Sequence, residues 1–117
     1  MPSSQRIKKV NVLIKRVLGK IILKEIDLPK NILITLSQTQ TTKDLKESKV
    51  FVSVLPENKT KEMLKILNRE IYGLQQKLNK ILNMRPVPKI KFVEDKKLRE
   101  AQKVEEILEN IKNNNQS

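Results

Sequence analysis

From Ser4 to about Ile26 the apolar residues Ile7, Val10, Ile14, Val17 and Ile21 recur every three or four positions, with Leu13 and Leu18 widening the stripe. That spacing puts one apolar side on an α-helix and leaves Lys8, Lys9, Lys15, Arg16 and Lys20 clear of it. Asp27-Leu28-Pro29 ends the pattern, because the residue before a proline disfavours the helical region. The period then changes. Ile32, Ile34 and Leu36 alternate with Leu33, Thr35 and Ser37 in a β-branched run that predicts a strand over 32–42. Lys43-Asp44-Leu45-Lys46 reads as a turn. A second strand follows over 49–55, with Val50, Val52 and Val54 on one side and Phe51, Ser53 and Leu55 on the other. So short a connection favours an antiparallel hairpin.

Helical spacing returns after Pro56-Glu57-Asn58, where Asn58 is the expected N-cap. Leu64, Leu67, Ile71, Leu74, Leu78 and Ile81 keep register from Lys59 to about Asn83, flanked by Met63, Ile66 and Leu82. Gly73 interrupts this run, and glycine inside a helix costs about 1 kcal/mol relative to alanine. A straight helix of about 25 residues would also extend roughly 38 Å, long for a small domain. A bend somewhere in this run is therefore expected. Arg85-Pro86-Val87-Pro88 stops the helix, and 89–93 alternates lysine with Ile90 and Phe92 as a third strand with a basic outer side. Residues 96–112 carry a thinner stripe of Leu98, Ala101, Val104, Ile107, Leu108 and Ile111, which predicts a charged terminal helix before the polar end NNNQS. The order α-β-β-α-α-β describes an α+β domain, a three-stranded sheet covered on one face by helices. The expected division is a domain over 1–95 and a charged helix and disordered tail over 96–117.

Composition narrows the chemistry. The 117 residues contain no cysteine and no histidine. Disulfide frameworks, thiolate or imidazole metal sites and serine–histidine catalysis are thereby excluded. Asp44, Glu47, Glu94 and Asp95 are turn or strand-end carboxylates without a phosphate loop or an acid–base partner, so neither an enzyme nor a cofactor nor a metal is expected. No apolar run reaches membrane-span length, and the basic N-terminus continues the periodicity of the first helix. A soluble, cytoplasmic chain is the expectation.

Charge decides the partner class. The formal net charge is +12. Residues 1–24 hold seven bases and no acid, and residues 56–92 hold nine bases against three acids, whereas 25–55 balances. Two separate basic segments favour a polyanion. Arg6, Lys9 and Arg16 on the first helix, with Lys77, Lys80, Arg85, Lys89 and Lys91 around the passage from helix to third strand, are the phosphate contacts that charge alone suggests. Aromatics are scarce, so contacts to phosphate and shape outweigh base stacking.

Three segments together resemble the bacterial ribosome-binding factor A family over about 6–108. ITLSQTQTTKDLKESKVFVSVL is similar to its paired strands, with Ser48-Lys49-Val50 standing where the family has an Ala-Lys-Val-like sequence. LNREIYGLQQKLNKILNMRPVPKIKF is similar to its helix-kink-helix, leucine-arginine and proline-x-x-x-phenylalanine signature, here Met84-Arg85 and Pro88 to Phe92. Asp95 follows shortly after. The resemblance implies a KH-like fold of type II order without a Gly-x-x-Gly loop. It also implies an Ala-x-Gly kink, written here Ile71-Tyr72-Gly73, with isoleucine in place of alanine. By the same resemblance the chain would bind the immature small ribosomal subunit, act in late maturation of its rRNA near the 5′-terminal helix, support growth in the cold and leave the subunit with the help of a GTPase. A monomer is expected. Two rival readings are a general RNA- or DNA-binding module and a helical interaction module using the stripe from Leu64 to Ile81.

Overall fold

A computed structural model describes residues 4–97 and residue 108. The terminal helix expected over 96–112, and the tail after it, fall outside the described residues except for Lys96, Lys97 and Leu108. The elements are α1 (Ser4–Glu25), β1 (Leu33–Thr41), β2 (Glu47–Leu55), a 3-10 turn (Glu57–Lys59), α2 (Thr60–Arg69), α3 (Ile71–Ile81) and β3 (Lys89–Glu94). The sheet order is β1-β2-β3, with β2 antiparallel to β1 and parallel to β3. The connection that carries α2 and α3 makes that parallel pairing possible.

The helices lie on one face of this sheet. Val10, Ile14, Leu18, Ile21 and Ile22 of α1 meet Leu36, Val50, Val52, Val54, Ile90 and Phe92, while Met63, Leu67, Leu74, Leu78 and Leu82 complete the core from the second half. The apolar stripe expected from Leu64 to Ile81 is thus largely consumed inside the domain. The buried sets differ from the expected ones in phase. Leu18 replaces Val17 as the fully buried residue of its turn, and Leu82 is buried while Ile81 is 57% exposed. The second change follows from a break in the helical run. Glu70, at φ −92° and ψ 4°, closes α2 and opens α3.

That break corrects the position of the bend. It lies at Glu70, three residues before Gly73, and Ile71, Tyr72 and Gly73 form the first turn of α3. Gly73 has no positive φ, and a Cβ added there would meet nothing within 4 Å. Asn58 is likewise not the cap of α2. It lies in the 3-10 turn, α2 begins at Thr60, and the Thr60 hydroxyl donates to the Glu57 carbonyl at 2.7 Å.

β1 carries a feature that alternation along one strand does not reveal. Leu36 pairs with Val52, but Gln38 pairs with Phe51, so Ser37 is an extra residue. A bulge of this kind switches which residues face inward. Before it Ile34 and Leu36 face the core, and after it Thr39 does. The Ser37 hydroxyl donates to Asp95 Oδ2 at 2.5 Å, and the Asp95 amide donates to the Val52 carbonyl at 2.9 Å. The end of β3 is thereby held against the bulge of β1.

Candidate nucleic-acid interface

α1 supplies the first basic surface. Because its apolar side is embedded in the core, Arg6, Lys8, Lys9, Lys15, Arg16, Lys20 and Lys24 stand on exposed positions. Arg16 and Lys20 form the crest between two shallow grooves. One, of about 520 Å³, runs between α1 and β1 over Gly19, Ile22, Ile34 and Leu36. The other, of about 470 Å³, runs between α1 and α3 over Val17, Ile21 and Ile81, with Lys24 on its rim. No acidic residue lines either groove. Lys15 reaches back and donates to the Ser37 carbonyl at 3.3 Å, so it also serves the bulge. Lys20 and Lys24 share the crest with Arg16 but carry too little weight in a charge count to be singled out there. The four-residue steps from Arg16 to Lys20 and from Lys20 to Lys24 are the signal that marks them.

α3 adds less than its charge promises. Lys80 is exposed, but Lys77 forms an ion pair with Glu25 at the end of α1 and holds the two helices together. Arg85 turns back on α3. Its guanidinium Nη1 donates to the carbonyls of Asn79 and Leu82, each at 3.2 Å, and of Met84 at 2.7 Å. Carbonyls at a helix C-terminus lack partners within the helix, and a cation there also meets the negative end of the helix dipole. Arg85 therefore has a structural task beside any contact with phosphate.

Lys89 and Lys91 belong to a different surface. Ile90 and Phe92 point into the core, so the two lysines project from the opposite face of the sheet, away from the helices. The eight expected contacts thus do not form one continuous patch. Arg6, Lys9 and Arg16 share α1, Lys80 is exposed on α3, and Lys89 and Lys91 stand across the sheet. Gln75 secures β3 from the helix side: its Oε1 accepts from the Ile90 amide at 2.9 Å and its Nε2 donates to the Pro88 carbonyl at 3.1 Å. Among the described residues there is no cluster of three or more acidic side chains able to hold a metal ion. No helix formed by them is long and apolar enough to cross a membrane.

Residues 6–108 match the family described as ribosome-binding factor A. The chain belongs to the ribosome-binding factor A family. It is 42% identical to ribosome-binding factor A of Chlamydia pneumoniae over 64 residues, about half the length of each chain (53% of both). Against the Coxiella burnetii protein of the same name it is 33% identical over 91% of its own length and 89% of the relative. The solution structure of a putative ribosome binding factor A from Thermotoga maritima superposes with a TM-score of 0.67 at 28% identity, covering 81% of this chain and 92% of that one. A homology model of the Thermus thermophilus factor, fitted into the cryo-EM map of a 30S complex, shares the fold with a TM-score of 0.59 at 24% identity over 71% of this chain and 88% of that one.

Within this ribosome-binding factor A fold the signature residues acquire physical tasks. Ser48, standing where the resemblance has alanine, is fully buried, and its hydroxyl lies 2.7 Å from that of Thr41, which donates to Asn11 Oδ1 of α1 at 2.5 Å. The Thr41 proton is committed to Asn11, so Ser48 is the donor of the pair. A buried hydroxyl is tolerated because this relay satisfies it. Arg85 caps α3, and Asp95 locks the end of β3 to Ser37.

Proposed function

We propose that this chain is a non-enzymatic assembly factor that binds the immature small ribosomal subunit through its rRNA. The observation that carries the reading is the acid-free crest of α1 in a member of the ribosome-binding factor A family. A rigid helix that presents Arg6, Lys9, Arg16, Lys20 and Lys24 along one side suits the phosphate backbone of a folded RNA. Lys80 extends that surface onto α3, with Lys77 and Arg85 at its margin. The 30S complex of the Thermus thermophilus relative supports the small subunit as partner. In this reading the unit over 1–95 is the ribosome-binding domain and acts as a cytoplasmic monomer. It promotes late rRNA processing near the 5′-terminal helix, including at low temperature, and an assembly GTPase assists its release.

The test is sedimentation of the cellular protein, with mapping of small-subunit rRNA ends in a strain lacking it. Co-migration with free small subunits, and accumulation of unprocessed rRNA in the cold, are expected. Migration with the nucleoid, or normal rRNA ends at low temperature, would replace this reading with a general nucleic-acid-binding module.

A further inference from the structure

The outer face of the sheet presents an arrangement that stability alone does not favour. Lys49 of β2 and Lys91 of β3 are direct partners in the parallel register, and both side chains are exposed on this face. Like charges placed opposite each other destabilise a strand pair. Neither lysine side chain forms an ion pair or hydrogen bond with any described residue. Of the acids on this face, Glu47 stands opposite Lys89 without forming an ion pair with any described lysine, and Asp95 is held by Ser37. The two ammonium groups therefore share a spot where an incoming anion would relieve their repulsion.

We propose that Lys49 and Lys91 form a second phosphate site, on the face of the sheet opposite α1, which takes single-stranded RNA. This rests on the assignment of rRNA as partner. Gln40 faces Lys49 across the hairpin and continues the same row. The adjacent row is Gln38, the half-buried Phe51 and Val93. Two amides and an aromatic ring beside a paired cation offer base-edge hydrogen bonds and a stacking surface next to phosphate contacts. Lys89 lies two residues from Lys91 on the same side of β3, about 6.6 Å along the strand, close to the separation of neighbouring phosphates in an RNA strand. A membrane fits the face less well, because the exposed apolar pair Leu33 and Leu55 lies at the far end of the hairpin from the lysines. α1 and this row stand on opposite faces, so the RNA strand here is a different segment from the one that meets α1.

The experiment compares the full chain with Lys49→Gln/Lys91→Gln and with Lys9→Gln/Arg16→Gln. Binding to an oligouridylate, to purified small subunits and to phosphatidylserine vesicles is measured across a salt series. Removing two phosphate contacts on a single strand should flatten the slope of log affinity against log salt for the oligouridylate by about 1.4. The thermal midpoint of the free sheet-face variant should hold or rise, because the repulsion is gone. An unchanged oligouridylate slope, or vesicle binding that alone depends on Lys49 and Lys91, would overturn the proposal. The two readings separate cleanly. Subunit binding with an unaltered oligouridylate slope removes only the sheet-face site. A flattened oligouridylate slope without any subunit binding removes only the assembly reading. Absence of RNA binding by the parent chain removes both.

Discussion

Ser37 and Asp95 meet across the open face of the sheet although 58 residues separate them in the chain. Ser37 is the bulge residue of β1, and Asp95 is the first residue after β3. The contact spans β2, so it ties both edges of the sheet to its centre. The Ser37 hydroxyl also lies 3.3 Å from the Phe51 carbonyl. Asp95 accordingly serves as a structural lock.

Replacing Asp95 by alanine should lower unfolding stability by about 1.5 to 3 kcal/mol, the range for a hydrogen bond to a charged group. Urea denaturation of the parent, Asp95→Ala and Asp95→Asn would measure it, with the asparagine variant retaining part of the contact. A full loss of RNA affinity in a normally stable Asp95→Ala protein would instead make Asp95 part of the interface.

Gly73 provides the sharpest comparison with its neighbour Glu70. The bend is at Glu70, and Gly73 sits exposed in the first turn of α3 with open space where a Cβ would go. Gly73→Ala should therefore stabilise the protein by about 0.5 to 1 kcal/mol through helix propensity and a less flexible unfolded chain. Destabilisation of the same size would restore Gly73 as the point where the helices articulate.

Thr39 faces the core after the bulge, 6% exposed, and its hydroxyl has no hydrogen-bond partner among the described residues. Valine has nearly the same shape and no polar group to desolvate. Thr39→Val should raise stability by about 1 kcal/mol, read as an increase in the urea midpoint at constant m-value. An unchanged or lower midpoint would mean that the hydroxyl is satisfied in solution.

The hairpin loop contains a pH-sensitive turn. Asp44 accepts from the Thr42 hydroxyl at 2.6 Å and from the Lys46 amide at 3.1 Å. These bonds, the Thr42 hydroxyl first, hold its carboxyl below the ordinary value of 3.8. Because the folded-state value is depressed, the contribution is complete above 3.8 and fades as pH falls through the lower folded value. Carbon-detected NMR titration of Thr42→Val should show the Asp44 pKa moving back toward 3.8. A titration curve that coincides with the parent would remove Thr42 as the cause.

Much of this protein was legible from residue order. Periodicities of about three and a half and of two recovered α1, the three strands and the helical run that holds α2 and α3, because each needs one apolar side and each buries it against the others. The lysines of α1 were legible for the same reason, since a helix whose apolar stripe is buried must expose the remainder. Where contacts between distant residues decide, single-strand patterns fall silent. Ser37 reads as an ordinary alternating position in the sequence, whereas pairing with β2 leaves it as one extra residue opposite the interval between Val52 and Phe51. Continuous heptad-like spacing through Gly73 concealed a one-residue break at Glu70, which exposed Ile81 and buried Leu82.

Charge behaved in the same way. The sequence by itself determined that the chain is strongly basic, lacks histidine and cysteine, and keeps acids out of its first 24 residues. Only the tertiary structure decided where the cations stand. It engaged Arg85 at the end of α3 and Lys77 with Glu25, and it carried Lys89 and Lys91 to the far side of the sheet from Arg16. It also set Lys91 beside Lys49, 42 positions away in the chain. The physical reason is the same in each case: a side chain's charge is a local property, whereas its neighbours are chosen by strand pairing and by which face of each element the core claims.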